Sequence, residues 1–310
     1  MTAEAADSPG ASDRGDAVHM LSFDVEEYFQ VEAARAGVGA ANWERYPRRL
    51  EACVGRVLDL LDEFGAAATF FVLGWVARNE PDVVRRIAER GHEVASHGMT
   101  HEMLSRLGPG DFARELADSR KLLEDLAGQP VAGFRAPTFS VTRETAWAID
   151  VLAEAGLRYD SSVFPVRHDR YGVPDAPRTP HHAVGPGGGR IVEIPPLTLR
   201  LAGANWPVGG GGYLRLLPIR VLAAALSRAQ KADAGEGHSG GAAPGMIYLH
   251  PWELDPGQPV VPMGRLTRWR HRVNLARTES KLRWLLGRFA FTDVRSRLDD
   301  LAPLPDFRYG

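Results

Sequence analysis

The feature that most narrows the folding choices is a rhythm. Between His19 and Asp160, short apolar runs alternate with amphipathic stretches that end on glycine. Residues 19–24, 68–73, 93–95, 131–134 and 157–160 read as buried strands. Between the first two, residues 48–64 place Leu50, Cys53, Val54, Val57, Leu58 and Leu61 on one helical face and stop at Gly65. Pro81 opens the next helix at its first turn and Gly91 closes it. Residues 111–127 and 142–155 make two more, ended by Gly128 and Gly156. Strand–helix alternation of this kind predicts a parallel sheet covered by helices, open or closed.

After Asp160 the rhythm breaks. Residues 165–190, rich in Pro, Gly and His, read as a long surface loop, and residues 191–194 and 198–201 as further strands. Residues 216–231 read as a helix, 232–245 as a mobile segment, 246–249 as a late buried strand and 278–287 as a late helix. Residues 1–17 read as a disordered tail with no positive start followed by an apolar stretch, and no run of about 18 apolar residues occurs. The expected organisation is a body over 18–255 and an extension over 256–310 packed on it, in a cytoplasmic protein. A formal net charge of −2 argues against nucleic acid as a partner and gives no overall field toward an anionic membrane. Cys53 is the only cysteine, so a metal would have to sit on His, Asp and Glu.

The polar residues that stand out fall where the strands end. Asp24 and Glu26 share one side of a strand because side chains alternate, which suits a general base beside a metal ligand; a solvated strand end is the bland reading. His97 and His101, four apart after the third strand, have the spacing that lets two imidazoles grip one ion from a helical turn. Arg135 follows the fourth strand, Asp160 ends the fifth and His250 ends the late one. In parallel α/β architectures the C-terminal strand ends carry the active site. An Arg135–Asp160 ion pair and a core histidine at 250 are the competing readings. His168, His181, His182, His238 and His271 are expected at the surface. The Gly209–Gly212 run lacks the Gly-Lys-Ser/Thr of a phosphate loop.

Taken together, Asp24-x-Glu26, Ser96-His97-x-x-x-His101, Arg135-x-Pro137 and Leu249-His250 resemble, in order, the motifs of the polysaccharide deacetylases of carbohydrate esterase family four. Residues 23–29 and 205–217 resemble the subgroup found beside exosortase and exopolysaccharide loci in bacteria. The resemblance runs from roughly His19 to Trp252. It implies a distorted, incomplete (β/α) barrel and one divalent metal, most often zinc. It also implies Asp24 as general base and His97 and His101 as ligands. Most members carry two adjacent Asp where this chain has Asp24-Val25; strand parity then hands the third ligand position to Glu26, with Glu27 as the alternative. The implied activity is removal of N-acetyl groups from hexosamine residues of a bacterial exopolysaccharide or its precursor. His250 would be the acid, Arg135 would hold Asp24, and Asp160 would orient His250. Pro137, Trp206, Tyr213 and Trp252 are the candidates to contact an N-acetylated oligo- or polysaccharide. Peripheral association with exopolysaccharide assembly machinery at the inner face of the membrane follows as a further expectation. The rival readings are a cyclic-amide hydrolase on the same fold and a catalytically inactive carbohydrate-binding protein.

Overall fold

The first strand, β1 (Val18–Val25), is buried on both faces from His19 onward, which is why it reads as a continuous run and not as an alternation. The computed structural model describes residues 18–230, 244–301 and 303–310. The expected tail over 1–17, most of the expected mobile segment at 232–245, and His238 lie outside the described residues.

Strands β2 (Thr69–Val72), β3 (Glu93–Ser96), β4 (Gly133–Phe134) and β5 (Tyr159–Asp160) follow β1 in the sheet in chain order, all parallel. Beyond β5 the neighbours are β7 (Arg190–Glu193), then β6 (His181–Val184), antiparallel to β7, then β12 (Asp306–Arg308). On the other flank β1 pairs in parallel with β10 (Met246–Leu249), and its first residues also pair with β11 (Ala290–Thr292). A separate hairpin joins β8 (Thr198–Leu201) to β9 (Ala204–Pro207). No pairing between β10 and β12 closes the sheet among the described residues, so the barrel is incomplete, as expected. Two strands of the 256–310 extension, β11 and β12, are members of this sheet.

Helix Leu50–Phe64 buries Leu50, Cys53, Val54, Val57, Leu58 and Leu61, the face read from the sequence, along with Leu60. It ends where Gly65 turns left-handed (φ 59°) and returns its N–H to Asp62. Helices Pro81–Glu89 and Pro109–Ala127 cover the sheet in the same way. Side chains from β1, β2, β10 and the late helix Thr278–Leu286 share one apolar core with helix Leu50–Phe64.

Several expectations shift. Residues 142–146 are a turn, because Thr145 bonds the Ser140 carbonyl through its hydroxyl and takes the Thr142 N–H; the helix itself is Trp147–Glu154. The helix read over 216–231 is Ile219–Gln230; a separate short helix, Gly211–Leu216, precedes it, because Pro218 forces Leu217 into an extended conformation (ψ 152°). The loop read over 165–190 contains β6, which forms a hairpin with β7 and pairs non-locally with β12. Helix Gly74–Asn79 was not foreseen; its first N–H groups are taken by the carbonyls of Gly98 and Met99, from another part of the chain.

Candidate active site

The register of the parallel strands brings their ends level: Asp24 lies opposite Phe71, Val72 opposite Ser96, Ser96 opposite Phe134, and Phe134 opposite Asp160. The expected site residues gather above this edge. Glu26 and Asp24 are 2% and 3% exposed and face the same way: His250 Nε2 lies 3.4 Å from Glu26 Oε1 and 3.9 Å from Asp24 Oδ2. Glu26 Oε2 is 2.5 Å from His101 Nε2, and Glu26, His97 and His101 offer ligand atoms within 4.8 Å of one another.

The two histidines do not meet on a helical turn as their spacing suggested. Residues 97–103 are irregular, and the chain reverses through left-handed conformations at Gly98 (φ 77°) and His101 (φ 57°). The second is uncommon for a residue with a Cβ and costs on the order of 1 kcal/mol. His97 donates from Nδ1 to the Arg135 carbonyl at 2.8 Å, which leaves the Nε2 lone pair for an ion. Burial pushes its pKa down to about 4, so the ring is neutral, the ligating form. Burial would raise Glu26, but the three histidines, His101 foremost, outweigh it and hold the carboxyl at about 2.

Glu27 turns the other way. Its Oε1 accepts the N–H groups of Arg49 (2.6 Å) and Leu50 (3.0 Å), so it caps helix Leu50–Phe64 from outside that helix. Burial raises its pKa to about 7.

Arg135 is fully buried, its guanidinium 4.1 Å from the centre of the Phe71 ring. It donates to Asp24 Oδ1 (2.6 Å), Ser22 Oγ (2.9 Å), Ser161 Oγ (2.8 Å) and the Ser161 carbonyl (3.1 Å). Four fixed acceptors orient this side chain, and it in turn fixes Asp24.

The expected link from Asp160 to His250 is corrected. Asp160 accepts from the Ser162 hydroxyl and faces Glu193 on the neighbouring strand. Two buried carboxyls side by side cannot both ionise: burial and mutual repulsion raise Glu193 well above its ordinary value, and burial raises Asp160 to about 6. His250 is held instead by Glu253, whose Oε1 accepts from His250 Nδ1 at 2.9 Å and from the His250 N–H at 3.1 Å. Arg215 donates from Nε to Glu253 Oε2 at 2.7 Å. Burial would lower the pKa of His250, yet Glu253, Glu26 and Asp24 together carry it up to about 9. Glu253 and Arg215 were missed by the sequence reading. A signal for Glu253 exists: His250-Pro251-Trp252-Glu253 has the spacing of a capping box with proline at the first helical position.

The candidate sugar contacts divide. Trp252 is 4% exposed and stacks on both the His250 and the His271 rings (centroids 5.1 and 4.5 Å), so almost none of it is open to a sugar. Pro137 is buried beside Gly98, and Tyr213 is partly buried and hydrogen-bonded to Tyr171. Trp206 is 56% exposed on the β8–β9 hairpin. Two histidines expected at the surface are buried: His181 bonds the Tyr309 hydroxyl, and His271 the Tyr28 carbonyl.

Comparison with known proteins agrees with this geometry. Residues 38–159 match the polysaccharide deacetylase family model, and residues 161–299 match a domain of unknown function, DUF3473. A chitooligosaccharide deacetylase of Rhizobium leguminosarum bv. trifolii is 38% identical over 109 residues, which is 34% of this chain and 48% of the relative. One from Sinorhizobium fredii is 39% identical over 105 residues, 33% of this chain and 46% of the relative. The chain thus spans about half the length of the curated relatives it matches. A crystal structure from Mycobacterium smegmatis, provisionally described as a polysaccharide deacetylase, shares the fold with a TM-score of 0.56 at 21% identity, over 91% of this chain and 88% of that one. The stretch that carries His97, His101 and Arg135 is the one that matches the polysaccharide deacetylase model, and His250, Glu253 and Arg215 lie in the stretch that matches the domain of unknown function.

Proposed function

We propose that the protein is a metal-dependent hydrolase that removes the acetyl group from an N-acetylated amino sugar, releasing acetate. The observation that carries this reading is the convergence on His250 Nε2. This proton donor lies 3.9 Å from the Arg135-bound Asp24 and 3.4 Å from Glu26, the carboxylate of the cluster that Glu26 forms with His97 and His101.

Two neutral-capable imidazoles and one carboxylate, with no thiolate, suit a divalent cation and leave coordination positions free. Held by Glu26, His97 and His101, such an ion supplies polarisation of an amide carbonyl and a lowered pKa for water. The chain's own groups account for the proton traffic. Asp24, fixed through Oδ1 by Arg135, takes a proton from the attacking water as the C–O bond forms. His250 gives the proton on Nε2 to the amine nitrogen as the C–N bond breaks, because an unprotonated amine is a poor leaving group. Glu253 keeps a hydrogen on Nδ1, so the proton released is the one facing the substrate.

The proposal extends to zinc as the ion and to a bacterial exopolysaccharide or its precursor as the substrate. It places the action at the inner face of the membrane, beside the assembly machinery. The likeness of residues 23–29 and 205–217 to the exosortase-linked subgroup supports the substrate. The test is acetate release from N-acetylated hexosamine oligomers by zinc-loaded protein with and without chelator. Chelator-sensitive acetate is expected. Metal-loaded protein that releases none from any oligomer, and instead opens a cyclic amide or only binds glycan, refutes the reading.

A further inference from the structure

The formal charge of −2 conceals a segregated segment. Residues 256–278 contain Arg265, Arg268, Arg270, Arg272 and Arg277 and no Asp or Glu. The flanking carboxylates are occupied, Asp255 by Arg49 and Glu279 by Arg283. None of the arginines of helix Arg265–Arg272 forms an ion pair among the described residues; Arg268 and Arg272 donate only to the carbonyls of Met263 and Gln258. On the outer side of this helix Leu266 is 60% and Trp269 56% exposed, and Val260 just before it 56%. Leu266 and Trp269 are three apart and form one apolar strip, with exposed Arg265 and Arg270 on either side of it. Single exposed apolar residues need no explanation. A leucine–tryptophan strip edged by unpaired arginines is the pattern of a helix lying in a lipid interface, with the ring at headgroup depth and the guanidinium groups on anionic lipid.

We propose that helix Arg265–Arg272 seats the rim of the site on an anionic phospholipid surface. The opposite side of the helix faces the site. His271 stacks on Trp252, which stacks on His250, and Arg215 Nη1 binds the carbonyls of Arg270, His271 and Val273 while its Nε holds Glu253. A bilayer in contact with the outer strip would therefore lie across this one helix from the Trp252–His250 stack. A soluble polyanion such as an acidic glycan or nucleic acid would use the arginines but offers nothing apolar to Leu266, whereas acyl chains do. The inference rests on this surface alone and holds whatever reaction the site performs.

The test is flotation of the full chain with phosphatidylcholine vesicles and with vesicles that also contain phosphatidylglycerol. Binding is expected only to the second, weakening as salt rises. Arg265→Gln with Arg270→Gln should cost about fivefold per arginine. Leu266→Ser with Trp269→Ser should cost roughly tenfold or more. Trp284→Ser, at a tryptophan outside the strip that is 41% exposed, should float like the parent. Thermal unfolding of each variant separates lost binding from lost fold. Absence of flotation by the parent chain overturns the proposal, as does equal flotation with neutral vesicles. So does binding that a soluble acidic polysaccharide displaces and that the Leu266/Trp269 pair leaves unchanged.

Discussion

Replacing Glu253 with glutamine tests the acid directly. The carboxylate uses both oxygens: Oε1 accepts from His250 Nδ1 and N–H, and Oε2 accepts from Arg215 Nε. Glutamine offers one acceptor oxygen for these two sites. If the oxygen stays on Arg215, the amide N–H₂ faces His250 Nδ1 and forces that nitrogen to accept. The hydrogen then remains on Nε2 in the neutral ring, which cannot release it without becoming an imidazolate. If the oxygen turns to His250, the amide confronts the buried Arg215. Either way the imidazolium loses a charge-assisted hydrogen bond, about 1.5–3 kcal/mol, which corresponds to roughly 1–2 pH units at 1.36 kcal/mol per unit. His250 is carried up to about 9 against the pull of burial, so the catalytically useful protonated form dominates below that value and is lost above it. Removing the Glu253 charge lowers that limit. The alkaline limb of kcat/KM, measured by acetate release, should therefore move down by about 1–2 units in Glu253→Gln, with metal content unchanged. Asp160→Asn, at the position the sequence assigned this role, should move it much less. An alkaline limb that stays in place in a folded, metal-loaded Glu253→Gln protein refutes Glu253 as the positioning residue.

Four further outcomes follow from the same geometry. His101→Ala should lose the metal, whereas His250→Ala should keep it and lose about 10²–10⁴-fold in turnover, as read by elemental analysis beside acetate release. Glu26→Ala should also lose the metal, while Glu27→Ala should keep it and cost about 1–2 kcal/mol of thermal stability by uncapping helix Leu50–Phe64. Arg135→Met should cost roughly 3–5 kcal/mol in urea unfolding, because it leaves Asp24 buried without its partner. Burial raises Glu93 from 4.5 to about 7, so the folded chain holds a proton that the unfolded chain releases; stability from this group should fall as pH rises from about 4.5 to about 7. In Glu93→Gln that part of the pH dependence should flatten in unfolding curves taken across this range.

How much the sequence discloses depends on the range of the interaction. The strands from β1 to β5 were legible because burial on both faces leaves a bare apolar run, and their helices because glycine and proline mark the ends. Asp24, Glu26, His97, His101, Arg135 and His250 were legible as a group because each sits just at or past a strand end. Glu253 against Arg215 was not: the two are 38 residues apart and meet only because Arg215 reaches back from helix Gly211–Leu216. The β6 strand was hidden by its polar start at His181-His182, and Trp252 could not be told from a sugar platform until its two imidazole neighbours were placed. Helix Arg265–Arg272 was masked by averaging, since a whole-chain charge near zero says nothing about how the charges are distributed.

The two matched segments cannot be read as a catalytic domain and an appendage. Asp24 and Glu26 precede residue 38, His97, His101 and Arg135 lie within 38–159, and His250, Glu253 and Arg215 lie within 161–299, so neither segment holds a complete site. What joins them is one strand pairing. In the β1–β10 register Phe23 lies opposite Leu249, which sets His250 beside Asp24 as each chain passes the sheet edge. A slip of one residue in that pairing would turn His250 to the opposite face. Leu21, Phe23, Ile247 and Leu249, all buried in the shared core, hold the register against such a slip. The packing that makes the late strand part of the fold is thus the same packing that brings His250 to Asp24.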